Sequence, residues 1–151
     1  MANPMYGQNK ADNKIDMGKR SVKYTASSLT LVAADSGMAL FVNLAADTTI
    51  TLPSAAKGLH FEIHVAKTGG SYDLEIVSPS ATNYFYGGVI HDDSNADDVS
   101  IASDYNSNDY LTLLVAQPGC HVILYCDGTL WYVSGQVASA TAPAFADSTG
   151  L

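Results

Sequence analysis

The sequence predicts an all-β protein: a β-sandwich or jelly-roll-like domain of antiparallel strands, with an extended N-terminal arm and a flexible C-terminal tail. From residue 21 onward, apolar and polar residues alternate with a period of two, which is typical of strands with one buried face. Gly, Pro, Asn and Asp separate these short segments, and no apolar stripe of helical period extends over ten residues. We therefore divide the 151 residues into an arm (1–23), a sandwich domain (24–137) and a small-residue tail (138–151).

The alternation is clearest in residues 59–65, where every odd position is apolar and every even position is polar. Similar segments follow one another along the chain and end at turn-forming residues such as Pro53 and Pro79. Nine or ten strands in so short a domain favour a sandwich, a jelly roll or a small barrel. The predicted strands are 29–32, 38–44, 48–52, 59–65, 72–77, 84–90, 99–102, 110–115, 121–126 and 130–133.

The strongest local signal is a β-hairpin at Asp127-Gly128. These two residues separate two alternating segments, 121–125 and 130–133. Asp-Gly suits a two-residue type I′ turn, because both central residues of that turn need positive φ. We therefore predict that the last two strands pair through this turn.

The charge is distributed unevenly along the chain. Residues 1–23 contain five basic and two acidic residues, a net charge of +3, whereas the remainder contains two basic and thirteen acidic residues, a net charge of −11. Such asymmetry favours an arm that contacts a partner, although an arm folded back onto its own acidic domain is the alternative. The small, nearly uncharged residues 138–151 also predict a segment that is loose without a partner. The candidate partner-binding residues of the arm are Lys10, Lys14, Lys19, Arg20 and Lys23.

Composition argues against several classes of partner. A formal net charge of −8 disfavours a nucleic-acid partner, since phosphate contacts need clustered Lys and Arg. No stretch approaches the roughly 18 consecutive apolar residues of a membrane helix, so we expect no membrane contact. The first residues lack the apolar region of a signal peptide. Cys120 and Cys126 lie on one predicted strand about 20 Å apart, too far for a disulfide, so we expect free thiols in a reducing cytoplasm.

Two clusters have residue types that bind metals. His60, Glu62 and His64 share one strand face, but the two histidines lie about 13 Å apart and cannot reach one ion. A cupin-like metal enzyme is therefore a weak option. The aspartate-rich segment 91–109 offers oxygen ligands at alternate positions, but it lacks the Gly and Glu of an EF-hand. We expect no cofactor and keep one weak calcium candidate, formed by Asp104, Asn106 and Asn108.

Catalytic arrangements find little support, and we expect no enzymatic activity. No Gly-x-Ser-x-Gly motif is present, and His91 beside Asp92 has no assignable nucleophile. A glycosidase needs two carboxyls across a cleft, yet both glutamates of the chain lie on predicted strands. Clustered aromatic residues could instead stack on sugars or bury at a protein interface. The candidate interface aromatics are Tyr84, Tyr86, Trp131 and Tyr132.

Three segments resemble virion proteins of tailed bacteriophages. Residues 124–135 resemble a closing strand pair with the pattern DGTxWYV, and residues 49–61 resemble a TxTLPxA…GxxF opening. Residues 1–10 resemble the N-termini of virion proteins from marine and cyanobacterial phages. The hairpin pattern occurs in head decoration (cement) proteins and also in tail-fibre and tailspike domains. The short length of this chain favours the decoration proteins.

The resemblance implies a non-enzymatic function at the capsid exterior. A decoration protein of this kind is a homotrimer that binds the major capsid protein, bridges neighbouring subunits and stabilises the expanded head. It would be made in the host cytoplasm and then join the virion. The alternative is a receptor- or glycan-binding module of a tail fibre or spike, which would use the tyrosines and tryptophan named above.

Overall fold

The computed structural model describes residues 8–9, 14–15, 21–93 and 97–147, which are almost entirely β-strand. A single 3-10 turn, Ala33–Asp35, is the one helical element in these ranges. The strands are β1 (Gln8–Asn9), β2 (Lys14–Ile15), β3 (Val22–Thr25), β4 (Leu29–Thr30), β5 (Ala39–Leu44), β6 (Thr48–Thr51), β7 (His60–Thr68), β8 (Leu74–Val77), β9 (Phe85–Asp92), β10 (Val99–Ala102), β11 (Tyr110–Leu113), β12 (His121–Cys126), β13 (Trp131–Ala138) and β14 (Ala144–Ala146).

Two sheets enclose one hydrophobic core, so the predicted all-β sandwich is confirmed. The seven-stranded sheet has the order β10-β9-β13-β12-β7-β5-β3, and the five-stranded sheet has the order β14-β11-β8-β6-β4. Strands β1 and β2 form a separate antiparallel pair. The largest fully buried side chains come from both sheets and include Trp131, Phe61, Phe85, Leu40 and Ile76. Burial alternates along β12 and β13, as the sequence pattern predicts.

The sheets are mixed, which corrects the expectation of an antiparallel, jelly-roll-like domain. Strands β3, β5 and β7 are parallel neighbours in one sheet, and β4, β6 and β8 are parallel neighbours in the other. From β3 to β8 the chain therefore alternates between the two sheets, and each pair of successive strands adds one strand to each sheet. Parallel neighbours need a long connection, and here the strand in the opposite sheet provides it. From β9 onward the pairings are antiparallel, except for the parallel pair β9–β13.

The predicted hairpin is confirmed, but its turn differs from the prediction. Strands β12 and β13 pair in antiparallel register, with Cys126 opposite Trp131. Four residues form the loop, and only Gly128 among them has positive φ. The Asp127 carboxylate accepts the backbone N–H groups of Thr129 and Leu130, each at 2.8 Å. Asp127 therefore shapes the loop through its side chain rather than through a left-handed backbone.

Part of the C-terminal segment is ordered against the domain, contrary to the expectation of a loose tail over residues 138–151. Strand β14 pairs with β11, and the Phe145 ring packs edge-on against Phe85 at a centroid distance of 6.3 Å. Strand β13 also extends to Ala138. The expectation of free cysteines is confirmed, because Cys120 and Cys126 are both buried and unpaired.

Candidate interaction surface

A row of stacked rings crosses the outer face of the seven-stranded sheet. Its members occupy paired positions on β3, β5, β7 and β12, and the centroid distances between successive rings are 5.4, 4.9 and 5.8 Å. The rings are nearly parallel, with interplanar angles of 25°, 13° and 24°. We call this row the ring ladder; it consists of Tyr24, Phe41, His64 and His121.

The geometry of the ring ladder limits what it can bind. Parallel rings at these distances cover one another's faces, so their edges point toward solvent. A sugar stacks on the face of an aromatic ring, and within the row only the outer faces of Tyr24 and His121, at its two ends, remain for such a contact. His64 also lies 3.1 Å from Glu62, measured from Nε2 to Oε1. The ring ladder therefore suits a structural role in joining four strands.

A second aromatic group lies at one end of the same face, and three of its four rings are not stacked. We call it the tyrosine patch; it consists of Tyr86, Tyr105, Tyr125 and Tyr132. Tyr125 and Tyr132 face each other across the hairpin, and Tyr132 pairs with Tyr86 of β9. The Tyr86 ring is tilted by 55° from Tyr132 and by 82° from Tyr105. Because these three rings lie at different angles, they present both ring faces and hydroxyl groups, whereas Tyr125 stacks on His60 at a centroid distance of 5.7 Å and an interplanar angle of 16°.

The tyrosine patch is exposed to an unusual degree for aromatic side chains. The exposed fractions are 51% for Tyr105, 54% for Tyr125 and 46% for Tyr132. Ile90 lies on the same face of β9, four residues beyond Tyr86, and is 52% exposed. Clusters of exposed apolar side chains on soluble proteins are often functional. The patch is therefore the best candidate for a functional surface in the described part of the chain.

The loop that carries Tyr105 is held in a constrained conformation. Tyr105 has a φ of 60°, in the left-handed region that is unfavourable for residues other than glycine. The Asp104 carboxylate accepts the backbone N–H groups of Asn106 and Ser107 at 3.0 Å and that of Asn108 at 3.2 Å. These hydrogen bonds hold the pKa of Asp104 well below its ordinary value. Their contribution is thus present at neutral pH and is lost only as the pH falls through that lowered pKa.

The C-terminal segment contributes to the same loop. Ser107 Oγ lies 2.8 Å from Asp104 Oδ2 and 2.8 Å from each carboxylate oxygen of Asp147. Asn108 Nδ2 donates to Asp147 Oδ1 at 2.8 Å. Asp147 follows β14 directly, so the pairing of β14 with β11 places its carboxylate against the loop. Residues distant in sequence thereby fix the position of Tyr105.

The residues of the calcium candidate take part in hydrogen bonds within their own loop, and the calcium site stays a prediction. Asp104 and Asn108 do lie close together, but a side-chain oxygen of each accepts a backbone N–H of the loop. Asn106 donates its backbone N–H within the same loop. In the ranges that the structure describes, no group of three or more His, Cys, Asp or Glu residues is placed to hold a metal ion.

Of the four predicted interface aromatics, the structure places two on the tyrosine patch. Tyr86 and Tyr132 belong to it, whereas Trp131 is fully buried in the core and Tyr84 is half-buried before β9. The prediction of Trp131 as an interface residue is therefore wrong, because the alternation along β13 turns it inward. The prediction missed Tyr125, which the same alternation along β12 places outward. It also missed Tyr105, whose position depends on long-range contacts that no local pattern reveals.

The predicted basic residues lie mostly outside the described part of the chain. Lys10, Lys19 and Arg20 fall outside the described residues, and Lys14 is described only through the backbone of β2. Lys23 belongs to β3 in the sandwich, and its Nζ lies 3.7 Å from Asp35 Oδ2. Lys23 is therefore a residue of the domain edge rather than of an extended arm.

A buried histidine and serine lie close together without the geometry of a nucleophile and its base. His91 Nε2 is 2.9 Å from the Ser139 carbonyl oxygen, so this nitrogen donates its proton to that acceptor. The Ser139 hydroxyl donates to the carbonyl of Thr141 at 2.6 Å. Since His91 Nε2 carries a proton in this arrangement, it is not placed to accept one from Ser139.

Comparisons with models of protein families, with curated proteins and with solved structures find no match to this chain. Among the described residues, no helix is long and apolar enough to cross a membrane. Functional inference therefore rests on the sequence resemblance and on the geometry of the outer sheet face.

Proposed function

We propose that this chain is a non-enzymatic capsid decoration protein of a tailed phage, which binds the major capsid protein on the outside of the head. The observation that carries the proposal is the exposed tyrosine patch on a small, rigid sandwich. Such a surface supports binding to another protein, because tyrosine supplies large contact area at low entropic cost. The resemblance of the β12–β13 hairpin to virion proteins supports the phage particle as the location.

The basic N-terminal arm supplies a second attachment in this proposal. Each exposed charge pair contributes only about 0.2–1 kcal/mol, so five basic residues alone give weak binding. In a homotrimer, three arms and three patches would act together, and linkage of this kind raises affinity by about 10²-fold or more. A protein that binds only the expanded head stabilises that state by mass action.

Deletion of residues 1–20 is expected to leave a folded domain that coats heads poorly. The deletion stops before Val22, because β3 is part of the seven-stranded sheet and pairs with β5. Purified full-length and shortened proteins would each be mixed with phage heads that were assembled without this protein. The fraction of binding sites occupied on the heads would be measured after sedimentation. Equal melting temperatures of the two proteins are the control for folding. Full occupancy by the shortened protein would refute the role of the arm.

A receptor- or glycan-binding module of a tail fibre is the second candidate. The rings of Tyr86, Tyr105 and Tyr132 favour it, because they are not stacked face to face and Tyr105 and Tyr132 are about half exposed. This alternative predicts that the isolated protein binds host cells and does not bind heads. The two functions are separated by attaching a fluorescent dye to this protein and comparing its binding to host cells with its binding to phage heads.

A further inference from the structure

Two carboxylates flank the tyrosine patch, and one basic residue, Lys57, packs against Gly128 of the adjacent hairpin loop. Asp127 lies beside the patch and its Oδ2 accepts the hydroxyl of Tyr132 at 3.3 Å. Asp104 directly precedes Tyr105 on the other side of the patch. The part of the chain after residue 23 has a net charge of −11, so its long-range field is also negative. A partner with basic residues around its contact surface would complement this charge.

The size of the tyrosine patch matches the centre of a protein interface. A buried tyrosine contributes about 150–250 Å² of surface, so three tyrosines that are half exposed offer about 300 Å² together. A standard interface buries about 800 Å² on each partner and has an apolar centre with a polar rim. The patch supplies such a centre, and the polar positions around it supply the rim.

The tyrosine patch is also formed in advance of binding. Tyr105 is held at positive φ by the hydrogen bonds of Asp104 and Asp147, and Tyr125 and Tyr132 lie on paired strands. Backbone strain that is maintained by surrounding contacts is characteristic of functional sites. Little ordering entropy is then lost when a partner binds.

We propose that the tyrosine patch is the surface through which the sandwich contacts a second protein, whose own contact surface is apolar at its centre and has Lys or Arg at its rim. This inference rests on the proposed function, under which that protein is the major capsid protein. The ring ladder lies on the same face but takes no part in this contact, because Tyr24, Phe41 and His64 lie on strands toward the opposite edge of the sheet.

The test compares two variants in binding to heads that lack the chain. The double variant Tyr125→Ser with Tyr132→Ser removes the centre of the patch, and we expect at least about tenfold weaker binding, as for the central residues of other interfaces. The variant Tyr24→Ser is the matched control: Tyr24 lies on the same face and is 67% exposed, but it belongs to the ring ladder at the opposite edge. We expect its binding to change by less than about twofold. Melting temperatures of all three proteins monitor folding.

Each result of this test decides the matter. Selective loss of binding in the double variant supports the inference. Binding equal to that of the control overturns it, and the proposed function then rests on head binding itself, on the hairpin resemblance and on the basic arm. If the unaltered protein does not bind heads, the proposed function fails and the inference falls with it. Sedimentation of the unaltered and double-variant proteins shows whether the patch binds a second copy of this protein. Self-association that disappears in the double variant would mean that it does, and would overturn the inference. Binding to host cells that depends on the same tyrosines would also overturn it.

Discussion

Replacement of Trp131 by Ala is expected to lower the free energy of unfolding by about 3–5 kcal/mol. Trp131 is fully buried, and its ring lies 6.0 Å from that of Phe61, on β7 of the same sheet. Removal of the indole leaves a cavity between two sheets that are held apart by other large side chains. Chemical denaturation followed by circular dichroism measures the change.

The matched control is Tyr132→Ala at the next position of β13. Tyr132 is 46% exposed and points to the outer face, so its loss should cost only its cross-strand and ring contacts, about 1 kcal/mol. A small effect at Trp131, or equal effects at both positions, would mean that the inward and outward faces of β13 are assigned incorrectly.

Replacement of Gly87 by Ala is expected to destabilise the protein by about 2–5 kcal/mol. Gly87 has a φ of +101°, and a Cβ atom at this position would collide with the carbonyl oxygen of Val133. The substitution therefore combines an unfavourable backbone conformation with overpacking between β9 and β13. That parallel pair joins β9 and β10 to the rest of the seven-stranded sheet.

Gly119 provides a control with the same backbone conformation. Its φ is also +101°, but a Cβ atom there would meet nothing within 4 Å. Gly119→Ala should therefore cost only the conformational part, about 1–2 kcal/mol. Urea unfolding of both variants gives the difference that is due to the collision at Gly87. If the two variants are equally stable, β9 and β13 are not as close as the structure places them.

The position of the strands could be predicted from the sequence, but their directions could not. Alternation in segments such as 39–44 and 60–68 depends on which side chains face the core, and it is the same for parallel and antiparallel neighbours. The parallel pairing of β5 with β7 arises because the chain passes through β6 in the opposite sheet. That connection depends on the packing of both sheets and has no local signature.

The composition of the C-terminal segment predicted a loose tail, but part of that segment is ordered. Residues 138–147 are small and almost uncharged, yet the single aromatic residue Phe145 contacts Phe85 and β14 pairs with β11. One apolar anchor and a short row of backbone hydrogen bonds suffice to order the segment. Similarly, the sequence pattern indicates the outward direction of Tyr125 and Tyr132, whereas Tyr105 joins them only through the contacts of Asp104 and Asp147.

The location of the chain in an image reconstruction of the phage particle is the most direct measurement of its function. Our account predicts the sandwich on the outer surface of the head, with the ends of β9, β12 and β13 that carry Tyr86, Tyr125 and Tyr132 turned toward the shell. A sandwich located on the tail, or one on the head whose tyrosines face the solvent, would contradict it.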